Sequence, residues 1–225
     1  RRLAAAAPLP TLGACLVMLA IPWLATLLRR VPGGSAAVAA AGRLPWLFFA
    51  LPAGVIADQV DRRKLIARAD LLRAALVGAI LWLALSAPGP SAIWLLAALT
   101  FLLGAAEVLR DNAAQTILPD IVTASDLEAA NGQMWSVEQL TGQFIGPPLA
   151  GFLIASSVAL PFGLDVAALV LAAGLVWMIS LAPRPNVQQN LFGALKEGIA
   201  FMPSDQPLLP LAGVAGWRTV HPPPP

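Results

Sequence analysis

Gly54-Val55-Ile56-Ala57-Asp58-Gln59-Val60-Asp61-Arg62-Arg63-Lys64 lies between two long apolar blocks, residues 36–57 before it and 65–85 after it. A helix rises 1.5 Å per residue and the hydrocarbon layer is about 30 Å thick, so blocks of about 20 residues are spans and the charged stretch is the turn joining them. Gly54, one helical turn before Asp58, permits another helix to approach closely. Asp58, at the membrane boundary, is placed to accept from helix-end amides or to pair with an arginine. Arg62, Arg63 and Lys64 would hold the turn at an anionic leaflet. A plain basic loop beside a chance glycine is the alternative.

Working outward, four more blocks qualify as spans: 9–28, 92–108, 134–156 and 159–181. The turn at 86–91, reading SAPGPS, separates the third and fourth spans by its proline and glycine content. Of 225 residues, 58% are hydrophobic and only 12% charged, and mean hydropathy is +0.77. That charge fraction is about half that of a soluble domain, so the chain cannot cover itself with polar surface. The fold class expected is an all-α membrane protein built as a six-helix bundle. The lipid bilayer is its first partner, and no nucleic acid is expected despite a pI near 9.3. Cys15 is the sole cysteine and His221 the sole histidine, which excludes an internal disulfide and disfavours histidine-based catalysis or a metal cluster. We expect neither an enzyme nor a cofactor. Arg1 and Arg2 before an apolar block mimic a secretory signal. With no initiator Met and further spans following at regular intervals, the first block reads as a retained helix whose upstream residues are missing.

Orientation follows from the cations, because cytoplasmic loops keep Lys and Arg. With the N-terminus inside, Arg1, Arg2, Arg62, Arg63, Lys64, Arg68, Arg73, Arg110, Arg184, Lys196 and Arg218 fall at or near the inner side. Only Arg29, Arg30 and Arg43 fall outward. The expectation is a multi-pass protein of a bacterial-type plasma (inner) membrane with a cytoplasmic N-terminus. Ser125 with Glu128 forms a capping box, where a short helix should begin and feed the fifth span. The bundle is assigned to residues 1–183. Residues 184–225 read as a cytoplasmic linker with an amphipathic helix at 191–202, followed by an apolar run at 207–217 too short to span. That run reads as the start of an incomplete seventh helix, and the chain as a fragment.

Two further constellations carry chemistry. At the inner end of the fourth span, Glu107, Arg110 and Asp111 stand at helical-neighbour spacing, so that Arg110 can sit within a carboxylate pair, with Asn112 and Gln115 beside them. An ordinary solvated helix end remains the alternative. In the fifth span, Gly142-Gln143-Phe144-Ile145-Gly146-Pro147-Pro148-Leu149-Ala150-Gly151 sets small residues four apart, while its prolines remove two backbone donors and bend the helix.

The 54–64 stretch resembles motif A of the major facilitator superfamily, with Gln59 and Asp61 departing from its usual basic residue and glycine. The fifth-span stretch resembles motif C of drug-exporting antiporters, with Gly142, Gly146, Pro147 and Gly151 in matching places. Arg43-Leu44-Pro45-Trp46, the run from Asp111, Ala130-Asn131 and Leu160-Pro161-Phe162 with Asp165 look like the enterobactin exporter branch and related multidrug-efflux members. The resemblance covers about residues 11–211. It implies the N-terminal half of a secondary active, proton-coupled exporter of small molecules such as drugs or siderophores, whose C-terminal six-helix half is missing. It also implies a network of Arg110 and Asp111 with Asp58 and Arg62 that latches the inward gate. Where the family often has an acidic residue after the Leu-Gly pair of the first helix, this chain has Ala14.

Intramembrane charges cost at least about 2.5–3.5 kcal/mol each, so Arg43 and Asp165, at similar depths, are candidates for a pair or for a substrate pathway. Glu138 and Gln143, with Asn112, are further candidates for that pathway. The tryptophans read as interface anchors rather than a ligand cage. A non-transporting scaffold or regulatory subunit, and a permease subunit of an ATP-driven transporter, are the other readings.

Overall fold

The computed structural model describes residues 8–28, 33–86, 89, 91–121 and 127–178. Its elements are α1 (Pro8–Leu27), α2 (Gly34–Gln59), α3 (Arg62–Leu85), α4 (Ala92–Ile121), α5 (Leu127–Gln139), a π-helical turn (Leu140–Ile145), α6 (Gly146–Ser156) and α7 (Ala159–Trp177). No strand occurs among the described residues. The chain is an all-α membrane protein, and α1, α4 and α7 are each long and apolar enough to cross a membrane by length and composition. The segments expected at residues 184–225, and Ser125 of the expected capping box, lie outside the described residues.

The boundaries follow local chemistry. Gly33 adopts φ +82°, a left-handed conformation that favours glycine, and α2 starts at the next residue. Asp61 caps α3 by accepting from the Arg63 and Lys64 amides at 3.1 and 3.3 Å. That is the helix-end role the sequence suggested for Asp58, whose side chain lies outside the described residues. The fourth span was expected to end near residue 108, yet α4 runs on to Ile121. The run after Val108 contains no glycine, and its first proline is Pro119, so nothing stops the helix earlier.

The π-helical turn has a specific cause. Pro147 and Pro148 donate no backbone hydrogen bond, so the carbonyls four residues earlier lose their usual partners. The Gly146 amide meanwhile bonds to Thr141 O, five residues back, the wide π pattern. Gly142 O would then take Pro147 as its donor, and Pro147 has none. The Cys15 thiol of α1 donates to that oxygen instead, at 3.2 Å.

Packing is not in chain order. The most extensive pairing is α2 with α4, followed by α3 with α7 and α3 with α4, while α1 packs on α7 and α6 and the consecutive helices α2 and α3 barely touch. α2 and α4 approach closely at Gly104, where a Cβ would stand 3.0 Å from Pro45 Cγ and 3.3 Å from Gly42 O, and at Gly34, where a Cβ would run into Ile93. Gly54, expected to permit close approach of another helix, makes only an ordinary contact, 3.8 Å from its Cβ position to Asn112 Oδ1.

Buried apolar residues form two groups. The larger includes Val17, Val38, Val77, Leu96, Phe162 and Leu169. The smaller, at the end carrying the Asp61 cap, joins Ala57, Ile66, Ala67, Ala113 and Val176. Outward faces remain apolar, with Trp23, Trp82, Trp94, Trp135 and Trp177 exposed near the helix-bundle ends. With lipid outside, the inner contacts stabilise through close packing rather than transfer from water.

Candidate functional site

A layer of charge separates the two apolar groups. Along α3 the order is Ile66 and Ala67, then Asp70 and Arg73, then Ala74 and Val77; along α4 it is Leu103, then Glu107, Arg110 and Asp111, then Ala113. Asp70 and Arg73 lie 8 and 11 residues from the start of α3, about 12 and 16 Å along it. Asp70 is 0% exposed and Arg73 3%.

The ion pairs cross between helices. Arg73 stands 3.6 Å from Asp70 Oδ1 and 3.7 Å from Glu107 Oε1. Arg110 stands 3.6 Å from Asp70 Oδ1 and 3.1 Å from Asp111 Oδ1. Asp70 is therefore gripped by one guanidinium from its own helix and one from α4. Of the carboxylate pair expected around Arg110, Asp111 is in place, whereas Glu107 turns to Arg73. Burying ions costs several kcal/mol apiece, and mutual attraction offsets that only when geometry is good. At 3.6–3.7 Å these contacts are long, and both Asp70 oxygens lack a hydrogen-bond donor. Asp70 and Glu107 are held by charge rather than by short hydrogen bonds, while Arg110 donates to Asp111 at 3.1 Å.

The layer opens onto a cavity of about 270 Å³. Pro10, Thr11 and Ala14 of α1, Ala172 and Val176 of α7, and Met134 and Glu138 of α5 complete its wall, with Asp70, Arg73, Glu107, Arg110, Asp111 and Gln115 supplying the polar part. The start of α3 and the late turns of α4, which flank the α2–α3 turn, both contribute to it.

The other sequence candidates divide. Glu138 reaches the cavity, whereas Gln143 is exposed. Five residues on is about 140° round a regular α-helix, and the π turn between them does not bring Gln143 back. Arg43 is exposed while Asp165 is 1% exposed, and they form no ion pair. Matched depth placed them level but on different faces. Asp165 lies against Gly13 of α1 instead. The Asn112 amide donates to Val108 O at 2.8 Å within α4.

In the α2–α3 turn, Arg62 donates to Thr116 O at 2.7 Å, joining the start of α3 to the late turns of α4. Lys64 pairs with Asp61 at 3.5 Å. Arg63 is half-buried beside them. On the kinked helix, Gly146 is required, because a Cβ there would run into Cys15. Gly142 faces Thr11 with 3.8 Å to spare from its Cβ position, and Gly151 and Pro147 are exposed, Gly151 with open space around it.

Asp70 and Arg73 are the residues that sequence reading missed. Arg73 was counted only as a topology-setting cation. The available signal was Asp70, the sole carboxylate of the span 65–85, three residues before an arginine on the same face.

A family model described as transmembrane secretion effector (MFS_3) matches residues 1–210. The multidrug efflux pump Tap of Mycobacterium tuberculosis H37Rv is 28% identical over 203 residues, covering 82% of this chain and 46% of that protein. The pump of the same name from Mycobacterium bovis BCG matches equally. The chain thus spans about half the length of the curated relatives it matches. No solved structure matches it. With apolar helices enclosing a buried charge layer and a family match over nearly its whole length, the chain belongs to the transmembrane secretion effectors of the major facilitator superfamily.

Proposed function

We propose that this chain forms one six-helix bundle of a proton-coupled exporter of small molecules such as drugs or siderophores, in a bacterial-type inner membrane with the N-terminus cytoplasmic. The observation that carries the reading is the charge layer of Asp70 and Arg73, both buried, with the half-buried Glu107 and Arg110, set between apolar groups and opening on a cavity. Such charges are expensive in a membrane and are retained where they line a pathway. Family membership and the efflux-pump relatives support export. The cation-rich turn Arg62–Lys64 supports a cytoplasmic placing of the end that carries it.

In this reading, α3 and α4 are latched through Asp70 and Arg110 at the inner gate, and Asp58, Asp61 and Arg62 hold the α2–α3 turn against them. The π turn and Pro147 give the fifth span the bend about which it moves. One bundle supplies one wall of a pathway, so alternating access requires a second bundle rocking against this one. The reading is tested in inverted membrane vesicles containing this chain alone, or with the C-terminal bundle of a related pump. Proton-driven dye transport is expected only with both, and slowed by Asp58→Asn. Transport by the single chain at full-length rates would refute the half-transporter reading. A scaffold would instead be indifferent to Asp58→Asn and would co-purify tightly with a different membrane protein.

A further inference from the structure

Asp165 is used by none of the ion pairs above. It sits on α7, six residues after Ala159, with Phe162 and Leu169 fully buried on the same helix face. It is 1% exposed, and its Oδ1 has no hydrogen-bond partner. That oxygen lies against α1 at Gly13, where any Cβ would collide with the carboxyl group. The charged groups that face it are Arg73 and Asp70 from α3 and Glu107 from α4. Of the other elements packed on α7, α1 and α6 contain no titratable acid or base, only the Cys15 thiol.

The charge balance is lopsided. Asp70, Glu107, Asp111 and Asp165 are four carboxylates beside two guanidiniums, Arg73 and Arg110. Three of the four are within ion-pair distance of a guanidinium, and Asp165 is the one that is not. A buried carboxylate without a counter-ion is relieved by taking up a proton, which removes the charge that burial penalises. A metal ion is a poor alternative, because hard cations gather about six or more oxygens and, among the described residues, no three His, Cys, Asp or Glu side chains converge to hold one.

We infer that Asp165 is a proton-binding site of this bundle and that Gly13 is its positioning residue. An O–H bond forms on the carboxylate with a proton given up by hydronium, which leaves as water, and breaks to return the proton to water, with no change of oxidation state. When the proton leaves, the new anion competes with Asp70 and Glu107 for Arg73. Proton occupancy on α7 thereby sets how firmly Arg73 ties α3 to α4. The inference deepens the transporter reading and rests on it only for the use made of the proton.

The test needs no transport. The chain is reconstituted in lipid vesicles with isotopically labelled aspartate carboxyls, and the protonated-carboxyl stretch is followed by infrared spectroscopy against pH. One aspartate band is expected at neutral pH, lost in Asp165→Asn and retained in Asp70→Asn. Gly13→Ala is expected to displace its frequency. Asp165→Glu should move the band out of the aspartate label. Absence of the band in the native chain, or its persistence in Asp165→Asn or Asp165→Glu, overturns the site; an unmoved frequency in Gly13→Ala overturns the positioning role. A titrating Asp165 band beside vesicles that never transport, even with a second bundle, would leave the proton site standing and remove the transporter reading.

Discussion

Replacing Arg73 by Gln should destabilise the bundle more than replacing Asp70 by Asn, although the two side chains face each other and are equally buried. The layer of Asp70, Glu107 and Asp111 with Arg73 and Arg110 carries one excess negative charge. Arg73→Gln raises that excess to two and strips Glu107 of its one ion-pair partner among the described residues, whereas Asp70→Asn brings the layer to neutrality and leaves each guanidinium a carboxylate. Breaking a buried pair from one side costs about 3–5 kcal/mol when a charge is left uncompensated. Asp70→Asn, which loses two contacts of 3.6 Å but leaves no uncompensated anion, should cost about 1–3 kcal/mol. Detergent-micelle unfolding followed by far-ultraviolet circular dichroism reads both. The Arg73→Gln loss corresponds to about a two-hundred- to a five-thousand-fold change in the unfolding equilibrium. Adding Glu107→Gln to Arg73→Gln returns the excess charge to one and should recover at least about 1 kcal/mol, a coupling a double-mutant cycle isolates. If Arg73→Gln proves no more costly than Asp70→Asn, or the double variant recovers nothing, charge balance does not govern this layer.

Two other outcomes test the packing. Gly104→Val should cost about 1–3 kcal/mol in the same unfolding assay by overpacking Pro45 and the Gly42 carbonyl, whereas Gly78→Ala, with open space around it, should be neutral or stabilising by up to about 1 kcal/mol. Pro147→Ala with Pro148→Ala restores two amide donors, so the π turn should revert towards a regular helix, read as a changed spin-label distance between the ends of α5 and α6; an unchanged distance would show that the prolines do not impose the turn.

The spans α1, α4 and α7 were legible because a membrane span is a statement about composition over about 20 residues, which apolar blocks carry on their face. Helix ends were less legible. Val108 looked like a stop only because polarity rises there, and polarity does not end a helix whose next residues favour it. Partner choice was hardest to read. Spacing along α4 put Glu107 and Asp111 beside Arg110, yet Asp70, from a different helix, took a place there that no local spacing encodes. Arg43 and Asp165 failed as a pair for the same reason, since depth is a one-dimensional coordinate and contact needs the azimuth of both helices. Gly146 succeeded because a position that admits no side chain leaves its mark in the residue type itself.

The Cys15 thiol sits where the fifth rod's own ladder has a missing rung, and it belongs to a different rod. The first helix is therefore a mechanical brace for the weakest joint in the bundle, and the two cannot slide past one another without stranding a carbonyl in an oily interior. A thiol blocked by alkylation would lose its hydrogen as well as gain bulk. Modification at this one atom would act on the bend of a helix more than 120 residues away along the chain.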